Sequence, residues 1–266
     1  MERGYRIDVC CAAQNAVMSD EVKRPTTDDR GVRISPSPVI GHRSSVVGRF
    51  NSALITHHLF LEKKMVDLIP SSETVMEILK RTGAFREGHF VYPNGKHSPH
   101  YFQMPLAFRY YDTARVLAVG LSRKFRVDRD ISSQLPKVAI ISPSSGGIPV
   151  AFGVRDALSA EQIYWAEQEG GKRMFRQYIN KGEVNPCIIV DDIIRSGHAI
   201  EETAALVKAL GSNVIGCGAI VRFTSAPDKL GDVPIRSLVE FDAHMYDSGD
   251  ACSDCKKEAP LEHVRF

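Results

Sequence analysis

The stretch CIIVDDII, residues 187–194, constrains the fold more than any other part of the chain. Its apolar residues fill both phases of a two-residue period, so a strand there is buried on both faces. Such strands belong to parallel sheets covered by helices on either side. Two adjacent carboxylates at the end of the strand repel each other and lose hydration unless hydroxyls or a cation meet them. The chain then turns at Ser196-Gly197 into HAIEETAALVKAL (198–210), where Ile200, Ala204, Val207 and Leu210 share one helical face and Gly211 is the stop.

The same alternation runs through the neighbouring sequence. KVAIIS (137–142) reads as a strand, Ser144-Ser145-Gly146-Gly147 as a tight loop, and IPVAFGVRDALS (148–159) as a helix. QIYWAEQ (162–168) is strand-like, and EGGKRMFRQYINKGE (169–183) reads as a basic, polar loop hinged on glycines. NVIGCGAIV (213–221) and SLVEFD (237–242) supply further strands. Strands alternating with single helices imply an α/β fold around a parallel sheet. Upstream, Ser71 and Ser72 can cap a helix over ETVMEILKRTG with Val75, Ile78 and Leu79 on one face and Gly83 at its end. GHFVYPNGKHSPHYFQM (88–104) places turn residues Pro93-Asn94-Gly95 between aromatic strand-like arms. DTARVLAVGLSRKF (112–125) reads as a helix with Ala114, Leu117, Ala118 and Leu121 inward. Residues 1–64, rich in Ser, Arg, Asp and Pro without a sustained period, are expected to be a poorly ordered extension to a domain over 65–266.

Composition narrows the function classes. A formal charge of +2 gives no hint of a nucleic-acid partner, and no apolar run approaches the ~18 residues that span a bilayer. The opening MERGYRIDVCCAAQNAVMSDEVKR fits neither a signal nor a transit peptide, so a cytoplasmic location is expected. Six cysteines spread over 266 residues argue against a disulfide scaffold. Cys187 and Cys217 sit in apolar strands and read as core. Cys252-Ser253-Asp254-Cys255 is half of a zinc knuckle, with His244 and His263 nearby but no second Cys or His pair at matching spacing.

Ligands of open parallel sheets bind at the carboxyl ends of the strands. The acid pair Asp191-Asp192 lies at such an end and leads into a helix N-terminus, whose free N–H groups favour an anion. A ligand matching both carries hydroxyls for the acids and a phosphate for the Ser196-Gly197-His198 turn, as a ribose 5-phosphate does. Neither a P-loop motif nor a G-x-G-x-x-G fingerprint after a strand is present.

CIIVDDIIRSGHA resembles the signature of the type I phosphoribosyltransferases: four apolar residues, two acids, two apolar residues, then Thr/Ser-Gly and a helix. PSSGG stands where that family's pyrophosphate-binding loop falls. Within the family the likeness is to the orotate phosphoribosyltransferases. TGAFREGHFVYPNGKHSPHYF is similar to their amino-terminal segment, AEQEGGKRMFRQ resembles one version of their catalytic loop, and Arg222 matches an orotate-contacting arginine. The resemblance covers about residues 70–260.

It implies a central parallel sheet flanked by helices, with a small hood built largely from the N-terminal part of the domain. It further implies conversion of orotate and phosphoribosyl pyrophosphate (PRPP) to orotidine 5′-monophosphate and pyrophosphate, with Mg²⁺ carried on PRPP rather than ligated directly by protein. Asp191 and Asp192 would then hold the ribose hydroxyls, and Ser144, Ser145, Gly146 and Gly147 would cradle pyrophosphate. Ile193, Ile194, Arg195, Ser196, Gly197, His198 and Ala199 would complete the PRPP site, the last four through backbone N–H groups on the 5-phosphate. Lys172, Arg173 and Arg176, hinged by Gly170-Gly171, would close over the reaction. Tyr101, Phe102, Arg195 and Arg222 would meet the base. The family's loop commonly reaches a neighbouring subunit, which implies a homodimer, with no nucleic-acid or membrane partner.

The chain departs from the family pattern at four points. Arg195 stands where Thr or Ser is usual, and could pair with orotate's carboxylate or fill the base pocket. Ala199 replaces a Ser or Thr, losing a hydroxyl contact worth ~1 kcal/mol. His198 replaces a Gly, and the loop lacks the Lys-x-His of the commonest orotate enzymes. A phosphoribosyltransferase for another base, or a PRPP-sensing protein without turnover, therefore stays open beside the orotate reading. A DNA-binding regulator of that kind would be expected to carry a helix-turn-helix module, and the first 64 residues show no such periodicity.

Overall fold

The computed structural model describes residues 69–264. The expected extension over 1–64 lies outside the described residues, as do 65–68, 265 and 266. Helix α1 (Ser72–Thr82) starts where the Ser71 hydroxyl accepts the Thr74 N–H and ends at Gly83, whose φ of 77° only glycine adopts freely. Its Val75, Ile78 and Leu79 are buried. Strands β1 (Phe85–Val91) and β2 (His97–Phe102) form the expected hairpin, closed by Tyr92 N–H donating to the Lys96 carbonyl at 2.9 Å. A single turn, α2 (Pro105–Phe108), precedes α3 (Tyr111–Arg126) and a second single turn, α4 (Arg129–Ser132). On α3, Leu117, Ala118 and Leu121 are buried, whereas Ala114 is only half-buried.

The sheet is then laid down in sequence: β3 (Ala139–Ser142), α5 (Ile148–Leu158), β4 (Gln162–Glu169), β5 (Lys172–Phe175), β6 (Cys187–Ile194), α6 (His198–Ala209), β7 (Val214–Phe223), β8 (Lys229–Leu230) and β9 (Val233–Phe241). A short helix α7 (Ser253–Lys256) and strand β10 (Leu261–His263) follow. Among the described residues the main sheet has seven strands in the order β5-β4-β3-β6-β7-β9-β8. Its five inner strands are parallel, and the short edges β5 and β8 run antiparallel to their neighbours.

Strand β6 lies near the middle and is buried on both faces, as its composition requires. Ile188 and Val190 enter one core with Leu117 and Leu121 of α3 and Val150 and Val154 of α5. Cys187 and Ile189 enter the other with Ile200 and Val207 of α6. Alternate residues of one strand thus join two helical layers, which fixes register: a one-residue slip would exchange every side chain between layers and carry the acid pair away from its loop.

One feature extends the sequence reading and a second differs from it. The hood is a three-stranded sheet, β10-β1-β2, whose third strand comes from the C-terminal tail and pairs parallel to β1. The segment expected as a hinged loop over 169–183 contains β5, which pairs with β4 from Glu169↔Lys172 to Ala166↔Phe175. Gly170 and Gly171, at φ of 57° and 78°, form the two-residue connection, and positive φ at both positions is what a tight hairpin with the native twist needs. The basic composition of the second arm hid the strand, because one face of an edge hairpin is solvated.

Candidate active site

The acid pair ends β6 beside the loop that follows β3. Asp191 and Asp192 are only 4% and 7% exposed. The Ser144 hydroxyl donates to Asp191 Oδ1 at 2.7 Å, and the Asp192 N–H donates to the same oxygen at 3.0 Å. The Ile193 N–H donates to Asp192 Oδ1 at 2.8 Å. Ser144 is itself held: its Oγ accepts the Gly147 N–H at 3.2 Å, and its carbonyl accepts the Ser142 hydroxyl at 2.6 Å. Gly146 and Gly147 are required by contact with the acids. A Cβ on Gly146 would lie 2.7 Å from Asp192 Oδ2, and one on Gly147 would overlap Asp191 Oδ1 and lie 2.6 Å from Ser142 Oγ.

Burial, and then the charge of Asp192, push the Asp191 carboxyl well above its usual range, against the opposing Ser144 hydrogen bond. Burial also raises Asp192, opposed by hydrogen bonds from Asp191 and the Ile193 N–H and by the Arg195 charge. Two carboxylates so placed gain from any ligand that brings hydroxyl donors or positive charge.

Beyond the pair, the chain turns at Gly197, the N-cap of α6, with φ of 84° and no side-chain cap. Its Cα packs against Pro227, so closely that a Cβ would fall 2.8 Å from the ring. The first-turn N–H groups therefore remain available to an anion. Ser144, Asp191, Asp192, Ile193, Ile194, Arg195, Ser196, Gly197 and Ala199 line one open cavity of about 300 Å³. Ser144 also lines a neighbouring cavity of about 390 Å³ with Ser145, Glu167, Gln168 and Arg173. The two hollows meet at the serine that holds Asp191. His198 lies 3.3 Å from Glu202 across one helical turn, with its side chain largely exposed.

Arg195 is exposed, so it does not fill the cavity. Of the three basic residues on the hairpin, the structure brings only Arg173 to the site. Its Nε donates to Glu202 Oε2 at 2.8 Å and its Nη1 to the Pro143 carbonyl, clipping β5 to α6 and to the loop before Ser144. Lys172, one residue away on a strand, points to the exposed face. Arg176 is half-exposed and pairs with Glu167 at 3.3 Å and Glu169 at 2.8 Å on β4. Glu202 was not singled out in the sequence; its position four residues after His198 was the available signal.

Of the four residues expected at the base, Arg195 lines the cavity, and the other three lie outside it. Tyr101 packs with Phe90 and Val264 in the hood. Phe102 packs against Phe85, Phe223 and Phe241, with ring centroids 4.8, 5.9 and 4.9 Å away. Both are at most 7% exposed and neither lines the cavity. Arg222 is buried as well, donating to the Ala226 carbonyl at 2.9 Å and to Glu240 Oε1 at 2.8 Å, while its Nε has no partner. It braces the segment that carries Pro227 behind the Gly197 turn.

A parallel sheet with a strand-end acid pair, a Ser-Gly-Gly loop bonded to it and an uncapped helix N-terminus in one cavity defines a type I phosphoribosyltransferase. Solved structures share the fold: the orotate phosphoribosyltransferase from Aeropyrum pernix matches with a TM-score of 0.51 at 20% identity, over 63% of this chain and 93% of that one. The orotate phosphoribosyltransferase from Mycobacterium tuberculosis H37Rv matches with a TM-score of 0.50 at 16% identity, over 65% and 97%. No protein-family model matches the chain. Sequence similarity is more specific. The chain is 30% identical over 190 residues to the orotate phosphoribosyltransferase of Thermotoga petrophila, covering 71% of this chain and 95% of that protein. It is 29% identical over 191 residues to that of Thermus thermophilus, covering 71% and 99%. The chain belongs to the orotate phosphoribosyltransferase family.

Proposed function

We propose that this protein transfers the phosphoribosyl group of PRPP to orotate, giving orotidine 5′-monophosphate and pyrophosphate, in the cytoplasm. The observation that carries the reading is the Ser144–Asp191 hydrogen bond, because it joins the two cavities that a single substrate with a ribose, a 5-phosphate and a pyrophosphate would span. The first-turn N–H groups from Ser196 to Ala199 receive the 5-phosphate. Asp191 and Asp192 accept from the ribose hydroxyls, which relieves the cost of burying both acids. Ser144, Ser145 and the backbone at Gly146 and Gly147 hold the pyrophosphate.

As a ring nitrogen of orotate bonds to C1, the bond from C1 to the pyrophosphate oxygen breaks, positive charge builds on the ribose in passing, and the proton of that nitrogen leaves to the departing pyrophosphate. The acid pair lies where that positive charge is favoured, and Arg173 and Lys172 supply the positive charge that the departing pyrophosphate needs. The donor set suits Mg²⁺: buried carboxylates and hydroxyls are hard oxygen ligands, and this ion is held mainly through substrate phosphates and water. It would neutralise the pyrophosphate. Arg195, exposed at the cavity rim, is free to pair with the orotate carboxylate, which favours a base-recognition role over a blocked pocket.

We further propose a homodimer in which the β4–β5 hairpin reaches the neighbouring site. Lys172 points away from its own acid pair, and Met174 and Tyr178 beyond it are exposed, Tyr178 completely. A groove of about 420 Å³ between α3 and α5, lined by Tyr111, Ala114, Ala118, Pro149 and Gly153 with Arg115 and Asp156 also on its wall, offers a largely apolar face for a second copy.

The test is steady-state turnover of the purified protein with PRPP, Mg²⁺ and orotate, with uracil and purine bases alongside. Loss of orotate with matching pyrophosphate release is expected. Turnover of a different base alone, or PRPP binding with no turnover of any base, would overturn the assignment.

A further inference from the structure

Four side chains outside the substrate site converge in the hood. His89 on β1, His97 on β2, and Cys252 and Cys255 around α7 each put one potential ligand atom within 4.8 Å of the other three. His89 Nε2 lies 3.1 Å from His97 Nδ1, 3.5 Å from Cys252 Sγ and 3.4 Å from Cys255 Sγ. Cys255 Sγ lies 3.4 Å from His97 Nδ1.

Ordinary hydrogen bonding does not account for this cluster. His89 Nδ1 stands 3.1 Å from the Ala259 carbonyl oxygen, which can only accept, so the ring proton belongs on Nδ1. That leaves Nε2 with a single lone pair facing three neighbours. Four such atoms around one point are what a tetrahedral ion needs. Zinc bonds of about 2.05 Å to nitrogen and about 2.3 Å to sulfur give tetrahedral edges of about 3.3 Å between nitrogens and about 3.6 Å between nitrogen and sulfur. The observed spacings of 3.1 Å and 3.4–3.5 Å fall within a few tenths of these.

We propose that His89, His97, Cys252 and Cys255 bind one structural zinc ion. All four positions are filled by protein, so the site is closed and has no place for a reacting water. Two thiolates and two imidazoles in a tetrahedron select zinc over hard cations. The His89 Nδ1–H bond to Ala259 is the outer-shell contact that orients a ligating imidazole. His89 and Cys252 are buried, 5% and 0% exposed, which shields the site from competing ligands.

The tail needs such a clasp. Helix α7 buries none of its residues, and every residue of β10 is exposed. The apolar core under this part of the hood consists of Phe90, Tyr101 and Val264, with Tyr92 packed against it. A segment with so little to bury takes its folding energy from a metal. The ion would fasten residues 252–255 to the β1–β2 hairpin near where Tyr246 already pairs with His97 through the backbone. The sequence offered Cys252 and Cys255 but suggested His244 and His263 beside them. In the structure His244 meets Tyr246 edge-on, and His263 lies on the exposed β10. The partners come instead from the other end of the domain.

The test is elemental analysis of the full-length protein, purified without added metal and without a histidine tag. One zinc per chain is expected, retained on dialysis. Cys255→Ser and His89→Ala should lose it, whereas His263→Ala should keep it. Exchange for Co²⁺ should give the spectrum of a tetrahedral site with two thiolates, and this reading on the unaltered chain decides the matter even if the variants fail to fold. Metal-free protein with both thiols titratable, or with a Cys252–Cys255 disulfide in the peptide map, would overturn the proposal.

Discussion

Asp191 is a residue the fold keeps at a cost. Its carboxyl is buried beside a second one, and the hydrogen bonds from Ser144 and the Asp192 N–H offset only part of that burden. Because the folded state raises its pKa, the group favours folding while it is protonated, and that contribution is lost as pH rises through the raised value. Asp191→Asn removes the titration while still accepting both hydrogen bonds. The ligand-free variant should therefore be more stable than the parent by on the order of 1 kcal/mol at neutral pH. The gap should close on acidification below about pH 4, where the parent's carboxyl becomes protonated in both states. The same variant should lose PRPP affinity by about two orders of magnitude, since the ribose hydroxyls then meet one carboxylate instead of two. Thermal unfolding across pH, with PRPP titration at neutral pH, checks both halves; a destabilised variant that still binds PRPP would refute the role of the pair. The acid pair was legible in the sequence because it is local: apolar run, acids and glycine turn are contiguous. Ser144 as its partner was legible only as a loop in the right order, since the contact bridges 47 residues and depends on β3 lying beside β6.

At the scale of elements, the β4–β5 hairpin separates two basic residues that the sequence grouped together. Arg173 faces inward and is clipped to Glu202 and the Pro143 carbonyl, whereas Lys172 faces outward at the tip. Their substitutions should therefore differ in kind. Lys172→Ala should lower kcat by about 10²–10³, the scale for losing one charge-stabilising donor, with PRPP affinity changed little. Arg173→Ala should release the loop before Ser144 and raise the KM for PRPP as well. Steady-state kinetics with a direct PRPP binding measurement separate the two, and parallel losses from both variants would mean that the strand face does not matter. Gly170-Gly171 read as the hinge of a loop rather than as a hairpin turn, because the polar second arm gave no apolar alternation to mark a strand. The hood was legible by the same rule in reverse. Its β1–β2 turn lies within one stretch of sequence, whereas its third strand and the Cys252–His89 contact, 163 residues apart, depend on the tail folding back.

For the whole molecule, the outward-facing Lys172 and the largely apolar α3–α5 groove lead to a quantitative expectation. If Lys172 serves a partner's acid pair, each active site of a dimer draws on both chains. A chain carrying Lys172→Ala and one carrying Asp191→Asn are then each inactive alone but complementary together. In a mixed dimer one site receives both lesions and the other receives neither. Tandem purification through both tags isolates the mixed dimers, each with one intact site of two, so activity should recover to about half of the parent's. If Lys172 instead folds back over its own chain's site, every site in every dimer carries a lesion, and mixing restores nothing. Co-expression of the two variants under separate tags, tandem purification and turnover with orotate and PRPP distinguish the two geometries. Recovery requires a shared hairpin as well as a dimer, so a dimer seen by light scattering without recovery would retain the dimer and eliminate the crossing of Lys172 into the neighbouring site.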